Sequence, residues 1–216
     1  MNKVFGVQII ENGKVPEVVL DIITQLEKLH AEESLGIFRI GGNLGVIKQT
    51  MERYNKGEKN VAKGINDVNT LSTLLKYYLR ELPECLTTIA LYDSFIEALN
   101  LRSKEKKIEH LYNLIHNRLP STRKLILQRI IKHLSFVSTR SKLNMMTVDN
   151  FGVVFGINFF RPNTKDPNII LQTSNKSNKV TSFLIENYDQ IFENHSNLNE
   201  KVSADLQDEK EFQKNN

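Results

Sequence analysis

From Leu71 to Pro83 the chain has almost no choice of conformation. Leu71, Leu74, Leu75, Tyr78, Leu79 and Leu82 fall at i, i+3, i+4, i+7, i+8 and i+11, one continuous apolar stripe along a helix. Pro83 follows and cannot continue that helix, since it lacks the N–H the next turn needs. A stripe of this length must be buried against other elements, and the same periodicity recurs on both sides of it. Pro16 suits the first turn of a helix on which Val18, Val19, Ile22, Leu26 and Leu29 recur through about His30. Val46, Ile47, Met51 and Tyr54 mark a shorter helix that ends near Gly57, and residues 60–69 read as a connection.

Downstream, Leu91, Phe95 and Leu99 mark one helix, and Ile108, Leu111, Tyr112 and Ile115 the next. Pro120 opens a longer one carrying Leu127, Ile130, Ile131, Leu134 and Val137. Thr147 is an expected N-cap for a helix with Phe151, Val154, Phe155 and Phe159. Residues 161–178 are polar, contain Pro162 and Pro167, and read as a long surface loop. Val180, Phe183, Leu184, Tyr188 and Ile191 form the last helix, after which residues 193–216 turn polar and charged and read as a frayed or disordered tail. No strand-like alternation competes with these patterns. The expected fold is all-α: a single helical domain over residues 1–192, with about seven to nine helices.

With 216 residues, 40% of them hydrophobic and 25% charged, the chain is in the globular range and long enough for one sizeable core. The single cysteine, Cys85, excludes an internal disulfide and a thiolate metal cluster, and fits a reducing compartment. Met1-Asn2-Lys3-Val4-Phe5 lacks the apolar run of a signal peptide, and no stretch is long enough to span a bilayer. A formal charge of +4 without a concentrated basic stripe argues against a nucleic-acid partner. No P-loop and no Gly-x-Ser-x-Gly elbow is present. The five histidines show no metal-ligand spacing and read as surface or half-buried residues.

Three features remain that carry chemistry. In Gly36-Ile37-Phe38-Arg39-Ile40-Gly41-Gly42, two large apolar residues pin the segment while the glycines permit tight turns and close approach. Arg39 is then held outward, either as an ordinary surface arginine or as a rigid fork of donors for phosphate oxygens. Lys76 and Arg80 sit one turn apart beside the apolar stripe, where like charges repel by a few tenths of a kcal/mol. They are either a solvated face compensated by Glu81 or Glu84, or a pair retained for a partner. Asn150 falls in the first turn after Thr147, where its amide either caps the helix or bonds a partner.

Together these segments resemble the RhoGAP domain family. Gly36-Ile37-Phe38-Arg39, Leu75-Lys76-Tyr77-Tyr78-Leu79-Arg80-Glu81-Leu82-Pro83-Glu84 and Asn150-Phe151-Gly152-Val153-Val154-Phe155-Gly156 stand in the family's order and at its spacing. Phe5-Gly6-Val7 and Val15-Pro16 resemble its opening segment, so the likeness runs from about Val4 to Phe192. The resemblance implies a monomeric helical domain that binds a GTP-loaded Rho- or Rac-type small GTPase and accelerates GTP hydrolysis. Arg39 would be the arginine finger, Lys76 and Arg80 would brace the finger loop and contact the GTPase, and Asn150 would bind near its switch regions. The domain itself would need no cofactor and no metal. It would act in the cytoplasm, recruited to membrane surfaces through the GTPase. The alternative is a module of the same fold that binds the GTPase without accelerating it. Two positions depart from the family pattern: Cys85, where proline is usual, and Ile157, where the family usually has proline after glycine.

Overall fold

The computed structural model describes residues 3–164 and 166–193, and no strand occurs among them. The helix required by the Leu71 stripe is α3 (Val68–Glu81), and Leu71, Leu74, Leu75, Tyr78, Leu79 and Leu82 are all buried. Asp67 caps it by accepting the amides of Asn69 and Thr70, each at 3.1 Å. That cap starts the helix inside the stretch expected to be a connection, which also holds its own 3-10 turn, Val61–Gly64. Around α3 pack α1 (Glu17–Lys28) and α2 (Leu44–Asn55). Pro16 is the N-cap of α1, one residue ahead of its expected first-turn position. Val46 was expected on the core face of α2, yet it is solvent-exposed beside Leu44, and Ile47 takes the buried position. A buried polar junction joins α1 to α2: the Tyr54 hydroxyl donates to Asp21 at 2.5 Å, and Asp21 also accepts the Ala62 amide at 3.1 Å.

The second half continues with α4 (Tyr92–Glu97) and α5 (Lys104–Asn113), the latter running into a π turn at Leu114–Arg118. Then come α6 (Ser121–Ser138), the short α7 (Ser141–Asn144), α8 (Val148–Phe159) and α9 (Pro167–Glu186). One buried cluster takes in apolar residues from Phe5 to Phe192 and so makes a single core, as expected. The expected tail at 193–216 lies, beyond Glu193, outside the described residues.

Two further expectations need correction. His133 on α6 is buried at 2% exposure rather than at the surface or half-buried. The long loop expected at 161–178 is mostly helix, because α9 begins at Pro167. Asp166 caps it by accepting the Asn168 amide at 2.8 Å, and Pro167 occupies a first-turn position where it loses no hydrogen bond. The sequence hides the first half of this helix because, of residues 167–178, only Ser177 is buried and no apolar stripe marks it. Ser177 and Thr181 are fully buried, and α9 lies so close to α8 that only glycine fits opposite. A Cβ on Gly152 would stand 2.2 Å from Ser182 Oγ and 2.7 Å from the Asn178 carbonyl oxygen.

That contact reverses the usual sign of a helical glycine. Gly→Ala in a helix interior ordinarily gains up to ~1 kcal/mol. Here Gly152→Ala forces α8 and α9 apart and is expected to destabilise the domain by ~1–3 kcal/mol. Urea melts of the two proteins check this; a midpoint at or above the parent's refutes the close-packing account.

Candidate functional site

The loop between the 3-10 turn Ala31–Glu33 and α2 is built by its backbone. The Gly36 carbonyl accepts the amides of both Arg39 and Ile40 at 2.9 Å, which winds residues 36–40 into a tight turn. Gly36 has φ +67°, a conformation glycine adopts without cost. Phe38 has φ +66°, where a residue with a large side chain is strained by ~1–3 kcal/mol. What holds it there is burial. Its ring is wholly enclosed and meets Phe155 at 5.2 Å, His133 at 5.9 Å and Phe151 at 6.0 Å, each edge to face. With Ile37 and Phe38 both at 0% exposure, the next residue, Arg39, is turned out to solvent. The Arg39 side chain makes no hydrogen bond or ion pair among the described residues.

Lys76 reaches the same loop from α3. Its ammonium donates to the Phe38 carbonyl at 2.5 Å. Burial, and then the nearby Arg80 guanidinium, pull the Lys76 ammonium down from the ordinary lysine value. Lys76 is thus a half-buried brace and not part of a solvated face. Arg80 is exposed, with its guanidinium 4.1 Å from the centroid of the Tyr77 ring. Among the described residues neither cation forms an ion pair with Glu81 or Glu84, the compensation considered from sequence; Glu84 instead pairs with Arg123 at 3.1 Å and accepts the Ile89 amide.

Asn150 fulfils one of its two open readings outright. Its Oδ1 accepts the Thr147 amide at 3.0 Å while Thr147 Oγ1 accepts the Asn150 amide at 3.3 Å, a reciprocal cap on α8. The capping uses only the oxygen. Nδ2 of this half-buried side chain donates to nothing among the described residues. Phe38 links the three features: Arg39 follows it, Lys76 holds its carbonyl, and its ring lies on Phe151, the neighbour of Asn150. Exposed apolar side chains border these groups in sequence: Leu35 and Ile40 on the loop, Met145 before α8, Val153 on α8.

Asn144 escaped notice in the sequence. It is fully buried, donates to the carbonyls of Glu32 (2.8 Å) and Val137 (2.9 Å), and accepts the Met146 amide at 2.8 Å. Its own carbonyl accepts the Gly36 amide at 2.8 Å, so it ties the start of the loop to the end of α6. A lone asparagine in a polar connection gives no signal of this in sequence. No cluster of three or more His, Cys, Asp or Glu residues that could hold a metal occurs among the described residues, and no helix there is long and apolar enough to cross a membrane.

The profile of the RhoGAP domain matches residues 16–164. The chain belongs to the RhoGAP domain family. Human Rho GTPase-activating protein 24 is 32% identical over 181 residues, which is 83% of this chain and 24% of that protein. The Dictyostelium discoideum Rho GTPase-activating protein gacJJ is 32% identical over 212 residues, 94% of this chain and 24% of the relative. The chain thus spans about a quarter of the length of these curated relatives. Among solved structures, human Rho GTPase activating protein 15 superposes with a TM-score of 0.79 at 25% identity, covering 88% of this chain and 92% of that one. The BH domain from GRAF, the GTPase regulator associated with focal adhesion kinase, gives 0.73 at 29% identity, over 82% and 94% of the two chains. The two departures from the family pattern, Cys85 and Ile157, line one cleft of about 490 Å³ together with Pro83, Ile89 and Ile170. Ile157 lies about 10 Å along α8 from Asn150, at 1.5 Å per residue.

Phe38→Ala is expected to lower stability by ~3–5 kcal/mol, since it empties a fully enclosed site. Thermal melts measure the loss, and an unchanged midpoint would show that the ring does not anchor the loop.

Proposed function

We propose that this domain binds a Rho-type small GTPase in its GTP-bound form and accelerates GTP hydrolysis by inserting Arg39 into the partner's site. The observation that carries the reading is the state of Arg39: an exposed guanidinium without a partner of its own, on a turn whose backbone is fixed from both sides. Phosphoryl transfer asks for positioning and charge neutralisation, and an arginine supplied in trans contributes ~10³–10⁵ in rate. The GTPase supplies the phosphate-binding loop, the Mg²⁺ and the residue that orients water. This chain supplies one cation and the scaffold that holds it. Lys76 braces the loop through the Phe38 carbonyl. Arg80 and the unused Nδ2 of Asn150 are donors for the GTPase surface, and Leu35, Ile40, Met145 and Val153 give that face apolar area to bury.

Single-turnover hydrolysis by a panel of GTP-loaded small GTPases, at saturating domain, tests the proposal. Arg39→Ala is expected to remove most of the acceleration while leaving the melting midpoint unchanged. Arg39→Lys should restore little, because an ammonium lacks the planar fork. Parental acceleration by Arg39→Ala refutes the finger, and binding without acceleration by the parent domain favours a binding-only module.

The surrounding donors are tested by affinity. Against a GTPase trapped with a transition-state analogue, Lys76→Ala, Arg80→Ala and Asn150→Ala are each expected to cost ~1–3 kcal/mol, about one to two decades in Kd. Higher salt should weaken the parent complex further. Parental affinity and turnover in all three would remove them from the contact surface.

A further inference from the structure

Lys76 is not the only α3 side chain that grips the loop. Two residues earlier on the same helix face the exit of the loop, and neither carries a charge that would draw attention in sequence. Thr73 Oγ1 accepts the Gly42 amide at 3.0 Å, and Thr70 Oγ1 accepts the Asn43 amide at 3.0 Å. Thr70 and Thr73 are buried, at 1% and 8% exposure. Thr70 spends its own proton on the Asp67 carboxylate, the N-cap of α3, so its lone pairs stay directed at Asn43. Asn43 in turn caps α2 by accepting the amides of Gly45 (2.9 Å) and Val46 (3.1 Å).

The loop backbone approaches α3 here more closely than any side chain allows. A Cβ on Gly42 would lie 2.2 Å from Thr70 Cα and 2.4 Å from its nitrogen. Position 42 is therefore restricted to glycine by contact rather than by φ. Thr70, Thr73 and Lys76 follow one another at intervals of three residues, a spacing that keeps neighbours on one side of a helix. They bind the backbone at Asn43, Gly42 and Phe38 respectively. Arg39 lies inside the span so held.

We propose that Thr73, supported by Thr70, is a positioning residue for Arg39: its hydroxyl fixes the exit of the loop on α3 and thereby the direction in which the guanidinium is presented. This rests on the reading of Arg39 as the finger. Thr73 touches no nucleotide. It narrows the set of loop conformations from which Arg39 enters the partner's site, so its effect belongs to the transition state and not to ground-state docking. A displacement of about 1 Å in a catalytic group costs on the order of a hundredfold in rate, and loosening one of several restraints costs a part of that.

The test compares Thr73→Val, which keeps the shape and deletes the hydroxyl, with Thr73→Ser, which keeps the hydroxyl. In single-turnover hydrolysis with a GTPase that responds to the parent, Thr73→Val is expected to lower the saturating rate about tenfold or more. The half-saturating concentration should stay near the parent's, and Thr73→Ser should restore the rate. In the partner-free domain, hydrogen exchange at the Gly42 amide should accelerate in the valine variant and remain parental in the serine variant. Placed on Arg39→Ala, Thr73→Val should cause no further loss, because the two act through one group. If the valine variant does not fold, Thr73→Ala removes the same hydroxyl without bulk and takes its place in each assay. A parental saturating rate in Thr73→Val, with Arg39→Ala inactive, overturns the clamp and leaves the finger standing. A loss in stability alone, with the rate of the folded fraction unchanged, overturns it as well. Full acceleration by Arg39→Ala would instead refute the finger itself, and the clamp with it.

Discussion

Phe38 is the residue on which the arrangement of this face depends. Its ring is enclosed by His133, Phe151 and Phe155, and the enclosure forces a large side chain into a left-handed backbone conformation. The ~1–3 kcal/mol cost of that conformation is offset by the ~3–5 kcal/mol that burying such a ring is worth. The turn is therefore held under tension by the core and does not relax into solvent. Once the ring is fixed, its carbonyl has one direction, and Lys76 meets it there. The next residue along the chain must leave the core. The outward position of Arg39 follows from the burial of its neighbour and needs no contact of its own.

The sequence made much of this legible because it was written in apolar periodicity and in capping chemistry. The stripe from Leu71 to Leu82 named α3, and Thr147 with Asn150 named the start of α8. Ile37 and Phe38 beside Arg39 read as anchors, and they are fully buried. Of residues 167–178 only Ser177 is buried, and where α9 meets Gly152 and Gly156 of α8 it does so through Asn178 and Ser182, so the first half of the helix has no apolar stripe and looked like a loop. Val46 showed the converse: an apolar residue in helical register that faces water. Asn144, Thr70 and Thr73 act on backbone groups of the loop or its flanks, and which amide a hydroxyl will meet is fixed by tertiary approach rather than by spacing.

The cap at Asn150 leaves room for the recognition role proposed for the same side chain. An amide carries an acceptor and two donors, and the cap of α8 consumes only the acceptor. The oxygen's engagement orients the nitrogen, so the helix cap aims the donor that remains. An aspartate at this position could cap equally well but would turn an acceptor outward, and a serine would cap without reaching. The residue type is decided by what is left over after the helix has been satisfied.

All of the hydrogen bonds that hold the loop, from Asn144, Lys76, Thr73 and Thr70, end on main-chain atoms. None ends on the guanidinium. Architecture and chemistry are thus carried by different atoms of the same segment, and the side chain at position 39 is free to vary without disturbing its support. On the proposed reading of Arg39 as the finger, a domain built this way is one substitution from becoming a passive reader of the nucleotide state. It would then keep its shape and its surface while ceasing to switch the proposed partner off. Under that reading, sequence drift at a single codon separates two opposite cellular effects, termination of a signal and protection of it, on an unchanged scaffold.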